Sequence, residues 1–273
     1  MNTCPLCHRS CSLQEGQTGF CQARIMLAGV SRPLGYGKLT ALALDPIEKK
    51  PLAHFYPGSR VLSVGSFGCN MACYFCQNHE IARGGEGSLP WREISPQALC
   101  AQAKDRVPEG NIGLAFTYNE PLLNPEFIAD CADILKPLGL KTVVVTNGCF
   151  RLEALGDLLP RVNAFSIDLK GFDPRWYRRL GGDLQMVKDF ITAAHQTSHV
   201  EVSTLVVSGQ NDSPEEITAL AGWLKGIDPG IPLHLSRCFP RYKAKEPPTG
   251  PRAMRNLQAV AKEYLHHVHL GNL

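Results

Sequence analysis

Beyond residue 60 the chain repeats one pattern: a short run of apolar, mostly β-branched residues, a turn, then a stretch whose apolar positions recur every three or four residues. Runs at 61–67, 112–117, 142–146, 164–169, 200–207 and 232–236 predict strands. The intervening stretches 96–106, 125–135, 152–158, 184–196 and 214–225 predict helices, several opened by proline in the first turn. Alternating strands and helices build a parallel sheet. Six such units predict an α/β fold, a partial (β/α)6 barrel. An open doubly wound sheet would share the pattern, but no Gly-x-Gly-x-x-Gly turn follows any strand. The expected organisation is a small cysteine-rich N-terminal segment with its lead-in (1–60), the barrel (61–240), and an extension of loop, helix and last strand at 268–270 (241–273).

Composition narrows the class. A chain of 273 residues, 44% hydrophobic, can bury one enzyme-sized core. The net charge of +3 is spread along the sequence, so nucleic acid is not an expected partner. The first residues lack a signal-peptide layout, and no apolar run approaches the ~20 residues of a membrane span. A cytoplasmic protein is therefore expected, with no membrane partner. There, eleven cysteines point to metal ligands or catalytic groups before disulfides. Seven of them form two groups: Cys4, Cys7, Cys11 and Cys21, then Cys69, Cys73 and Cys76. Cys100, Cys131, Cys149 and Cys238 are scattered, as buried thiols are.

Cys69-x3-Cys73-x2-Cys76 places three thiols in one loop after a strand. A 4Fe-4S cluster usually takes four thiolates, so three leave one iron open to another ligand. Zinc is the rival, with His79 as a fourth ligand. Gly68-Cys69-Asn70-Met71-Ala72-Cys73-Tyr74-Phe75-Cys76 resembles the signature of the radical S-adenosylmethionine (SAM) superfamily. Within it the chain most resembles pyruvate formate-lyase activating enzymes and the activase-like group called AmmeMemoRadiSam. The resemblance implies a 4Fe-4S cluster whose open iron is chelated by SAM, reductive cleavage to a 5'-deoxyadenosyl radical, and abstraction of a hydrogen atom.

It also implies roles for residues at the strand ends. Backbone around Tyr74 and Phe75 would contact the adenine side. In Thr117-Tyr118-Asn119-Glu120-Pro121, Glu120 would accept the amino group of SAM, with Asn119 beside it, although Tyr118 and Asn119 stand where many relatives have glycine. Thr146 and Asn147 match a Thr-Asn-Gly turn. Asp168 and Lys170 match an Asp-Leu-Lys motif that contacts the amino and carboxylate ends of the bound methionine; two residues apart on a strand, they point to one side. His234 matches a histidine that reaches the cofactor carboxylate. Strand 202–207 with Gly209, Asn211 and Asp212 resembles a region lining the adenine.

The N-terminal group, Cys4-x2-Cys7-x3-Cys11-x9-Cys21, can close a metal site with four thiolates. Short knuckle spacing favours zinc; a second, electron-relaying cluster is the alternative. Segment 45–58 reads as a charged turn leading into the first strand. Expected partners are a glycyl radical enzyme or other protein substrate and a one-electron donor such as flavodoxin or ferredoxin. Radical modification of a small molecule or RNA, and a catalytically silent metal-binding scaffold, are the competing functions.

Overall fold

The computed structural model describes residues 1–273. Its centre is an eight-stranded sheet. In chain order the strands are β1 (Ala41–Pro46), β2 (Arg60–Gly65), β3 (Asn111–Phe116), β4 (Lys141–Thr146), β5 (Ala164–Asp168), β6 (His199–Val206), β7 (Leu233–Arg237) and β8 (Val268–Gly271). They lie side by side in that order; β1 runs antiparallel to β2, and all other neighbours are parallel. The sheet is open between β1 and β8, so this is a partial barrel. Each predicted strand is present within two residues of its expected ends.

The sheet passes both expected boundaries. β1 comes from the lead-in and β8 from the C-terminal extension, and each pairs along its length with a barrel strand. No helix is long and apolar enough to cross a membrane.

Helices α1 (His79–Arg83), α2 (Pro96–Asp105), α3 (Pro125–Leu135), α4 (Leu152–Leu155), α5 (Pro174–Arg179), α6 (Leu184–His195), α7 (Pro214–Ile227) and α8 (Pro251–Lys262) connect the strands. Their starts are set by capping. Ser95 accepts from the Ala98 amide, Asp183 from Met186 and Ser213 from Glu216, each satisfying an amide the helix cannot. In α6 the spacing of Leu184, Val187, Phe190, Ile191 and Ala194 gives one buried face. Only α4 departs from its predicted span: the backbone turns left-handed at Gly156 (φ +53°), and the segment Gly156–Arg161 continues as a tighter 3₁₀ turn containing Pro160.

Alternation along the strands sorts two cores. Outward residues such as Leu62, Val64, Leu114, Phe116, Phe165, Ile167, Val202 and Leu235 pack under the helices in a cluster of 59 buried residues. The inward positions are smaller or polar. Val61, Ala115, Val143 and Ala164 form a separate cluster with Ile47, Leu52 and Phe55. Segment 47–55 is thus more than a charged turn: it inserts three apolar side chains into the concave side of the sheet, and Lys50 behind them pairs with Asp45 at 2.7 Å. Further along the strands the inward face becomes Ser63, Ser166, Glu201, Ser203 and His234, all buried.

Candidate functional site

A cavity of about 1280 Å³ lies on this inward face, above the plug made by segment 47–55. Residues from the C-terminal halves of β4 to β8 line it together with the loop after β2, which requires the sheet to curl around one space. Its volume exceeds the usual range for one small ligand.

The loop after β2 carries Cys69, Cys73 and Cys76, and all three line the cavity, partly exposed. Gly68 makes the loop possible. Its φ is +88°, and a Cβ there would stand 2.3 Å from the Cys21 carbonyl oxygen, so neither the turn nor the packing admits a side chain. Asn70 anchors the loop from below, donating to the Cys149 carbonyl (2.9 Å) and accepting from the Asn147 amide (2.8 Å). Burial pushes the Cys69 thiol well above its ordinary range and Cys73 up to about 11, and it raises Cys76 too. Buried thiolates here need cations to hold their charge. Three thiols with no fourth beside them fit a cluster that keeps one iron open. No three His, Cys, Asp or Glu side chains converge tightly enough for a single ion, and His79 faces Tyr242 in a ring stack at 4.4 Å, so the Cys3His zinc alternative is not built.

Glu120 is 2% exposed and accepts from Thr146 Oγ1 (2.7 Å), the Asn147 amide (2.8 Å) and the Leu122 amide (3.1 Å). These donors fix its orientation on the cavity wall. Burial outweighs them and pushes the carboxyl up to about 7. Thr146 and Asn147 therefore serve Glu120 as well as the cavity; Asn147 also reaches Cys69 Sγ at 3.7 Å. Asp168 and Lys170 both line the cavity, as their spacing predicts, and pair with each other at 2.8 Å. Ser203 donates to the other Asp168 oxygen at 2.6 Å. Burial works against the Lys170 charge, and Asp168 with Cys73 more than offsets it, holding the ammonium above its ordinary range.

The side-chain amide of Asn119 lies on the cavity wall, but it donates to the Phe67 and Gly68 carbonyls and accepts from the Ser66 amide, so it braces the turn before Cys69. Tyr74 does not line the cavity: its hydroxyl donates to Glu246 at 2.6 Å and its carbonyl accepts from the Lys243 amide. Phe75 does line it, stacked on Trp176. Asn211 is buried and ties the Lys170 and Leu205 carbonyls to the Val207 amide, while Asp212 caps the Gly209 amide; of this region Ser203 and Leu205 line the cavity. His234 faces the cavity, but its Nε2 is engaged at 2.6 Å with Glu201, leaving Nδ1. Cys4, Cys7, Cys11 and Cys21 line a separate small void on the other side of the loop.

Glu201 was not expected. It has no exposed surface and accepts from His234, His199 (3.0 Å), and the amides of Ala53 and His54 (2.9 and 2.8 Å). The signal for it is the alternation Val200-Glu201-Val202-Ser203 in a strand covered on both faces, which puts Glu201 and Ser203 on the inner side.

Comparisons with known proteins agree with this geometry. The profile of the Radical SAM superfamily matches residues 63–223. An uncharacterised protein of Methanocaldococcus jannaschii is 35% identical over 99% of this chain and 81% of its own length. The pyruvate formate-lyase-activating enzyme of Clostridium pasteurianum is 27% identical over 63% of this chain and 71% of its own. Among solved structures, a radical SAM methyltransferase from Sphaerobacter thermophilus shares the fold, with a TM-score of 0.57 and 18% identity over 79% of this chain and 67% of that one. The chain belongs to the radical SAM superfamily, whose enzymes use a 4Fe-4S cluster and S-adenosylmethionine.

Proposed function

We propose that the protein is an activase that removes a hydrogen atom from a backbone glycine of a partner enzyme. The observation that carries this reading is its similarity to pyruvate formate-lyase-activating enzymes over 63% of the chain, from which the three cysteines and the strand-end residues take their roles. Cys69, Cys73 and Cys76 would hold the cluster. Glu120, fixed by Thr146 and Asn147, would receive the amino group of SAM, and Lys170, aligned by Asp168, would meet its carboxylate with His234 behind. Phe75 and Leu205 supply apolar wall for the adenine. Bound together and given one electron, cluster and SAM supply chemistry strong enough to take a hydrogen atom from an unactivated C–H bond.

The chain's own part is to hold the reactive end in a space floored by the plug, with Phe239 and Arg241 at its mouth. The cavity's size leaves room beside a nucleoside-sized ligand for a segment of another protein. Co-expression with a candidate glycyl radical enzyme and a flavodoxin or ferredoxin donor tests the reading. Electron-spin resonance should give a glycyl doublet that depends on this protein; no doublet with any partner overturns it.

A further inference from the structure

Every acidic side chain that lines the cavity has a partner, and two of its basic ones do not. Asp45 pairs with Lys50 and Asp168 with Lys170; Glu48 accepts from the Gly58 amide at 2.6 Å, and Glu120 is held by the donors described above. Arg237 and Arg241 border the same space and stand in no ion pair. With Glu120 and Lys170 directed at the two ends of SAM, the mouth keeps an excess of positive charge.

Arg237 is built into the wall. It ends β7 and is half-buried, and its guanidinium is fixed from two sides: Nε donates to the Thr249 carbonyl at 2.6 Å, and the guanidinium carbon lies 4.5 Å from the centre of the Phe239 ring. Thr249 is itself buried and donates its hydroxyl to the Val206 carbonyl at 2.6 Å, so the anchor belongs to the core. Only the two terminal nitrogens of Arg237 are left, with no partner in the chain. A guanidinium held in this way is pre-organised, and its free edge matches two oxygens of a carboxylate or phosphate. Arg241 is exposed two residues beyond Phe239, and its side chain makes no hydrogen bond. His234 precedes Arg237 by three residues on the same strand, which puts Arg237 about 10 Å further toward the mouth than the SAM-facing wall.

We propose that Arg237 and Arg241 form an anion subsite of the cavity, which binds a carboxylate or phosphate carried by the substrate. Phe239, 44% exposed, offers apolar surface beside it. The proposal rests on the cavity being the place where substrate meets the radical, and adds the substrate's charge. In the activase reading the group is an acidic side chain close to the glycine that gives up its hydrogen atom.

Calorimetry on the anaerobically reconstituted protein saturated with SAM, so that Lys170 and His234 are engaged, tests this without any radical being formed. The probes are inorganic phosphate, the peptide acetyl-Glu-Gly-Glu-amide and its neutral counterpart acetyl-Gln-Gly-Gln-amide. The subsite predicts binding of an anionic probe that salt weakens, and a loss of affinity of about tenfold or more in Arg237→Gln and in Arg241→Gln. Binding of the acidic peptide keeps the subsite within the activase reading. Binding of phosphate alone keeps the subsite and moves the substrate to a small phosphorylated molecule. No binding of either anion, equal binding of the neutral peptide, or native affinity in both variants overturns the proposal. Should Arg237→Gln fail to fold, Arg241→Gln decides, and native affinity in it overturns the proposal.

Discussion

Glu201 and Glu120 are both buried carboxylates on the inner face of the sheet, and their surroundings push them in opposite directions. Burial alone would raise Glu201, but His199, His234 and the amides of Ala53 and His54 outweigh it and hold the group well below the usual carboxylate range. A depressed folded value means the stabilisation is fully present above the unfolded value near pH 4.3 and fades as pH falls further. Glu201→Ala leaves two amides and two imidazoles without their acceptor and should lower the unfolding free energy by about 3 kcal/mol at pH 7. The gap from the native chain should shrink below about pH 4. Denaturant titration at both pH values checks it; no difference at pH 7 would mean the network contributes nothing. Glu120, raised to about 7, binds an ammonium better once ionised. SAM affinity of the reconstituted protein should therefore strengthen as pH rises through about 7, and Glu120→Gln should weaken binding and flatten that rise, as read by calorimetry. The motif exposed Glu120 in the sequence. Glu201 has no motif and is found only through its strand's alternation, because two of its partners, the Ala53 and His54 amides, come from a segment more than a hundred residues away.

The elements that form locally are the legible ones. The six central strands have their periodicity written into contiguous residues, as do α2, α6 and α7 with their caps and α3 with its opening proline. β1 does not. Ala41–Pro46 ends in Asp-Pro and is half-exposed, and it becomes a strand because β2 offers an unpaired edge. The role of 47–55 is equally non-local, since Ile47, Leu52 and Phe55 are explained only by the hollow they fill. The catalytic loop has the same dependence on distant chain. Gly68 lets the Cys21 turn close onto it, so Gly68→Ala adds left-handed strain and a clash and should cost about 3 kcal/mol. Thermal unfolding and iron content together check this. A variant with native stability and native iron would show that the Cys21 turn does not brace the loop.

At the scale of the whole molecule, one curled sheet places three thiols, a buried carboxylate and an Asp-Lys pair around a single cavity, with the plug below. Fold class and the wall of this cavity were legible because each strand end carries its polar residues within a few positions of the apolar run. What closes the cavity was not, because β1 and the plug come from the lead-in and the strand expected at 268–270 joins the sheet only by pairing with β7. The arrangement is that of an enzyme whose cofactor does the difficult step while the protein fixes and screens it. The most direct measurement is product analysis of the anaerobically reconstituted protein given dithionite and S-adenosylmethionine. The account predicts 5'-deoxyadenosine and methionine in equal amounts, abolished by Cys73→Ala. A protein that carries the cluster at the three-cysteine loop and forms no 5'-deoxyadenosine would contradict it.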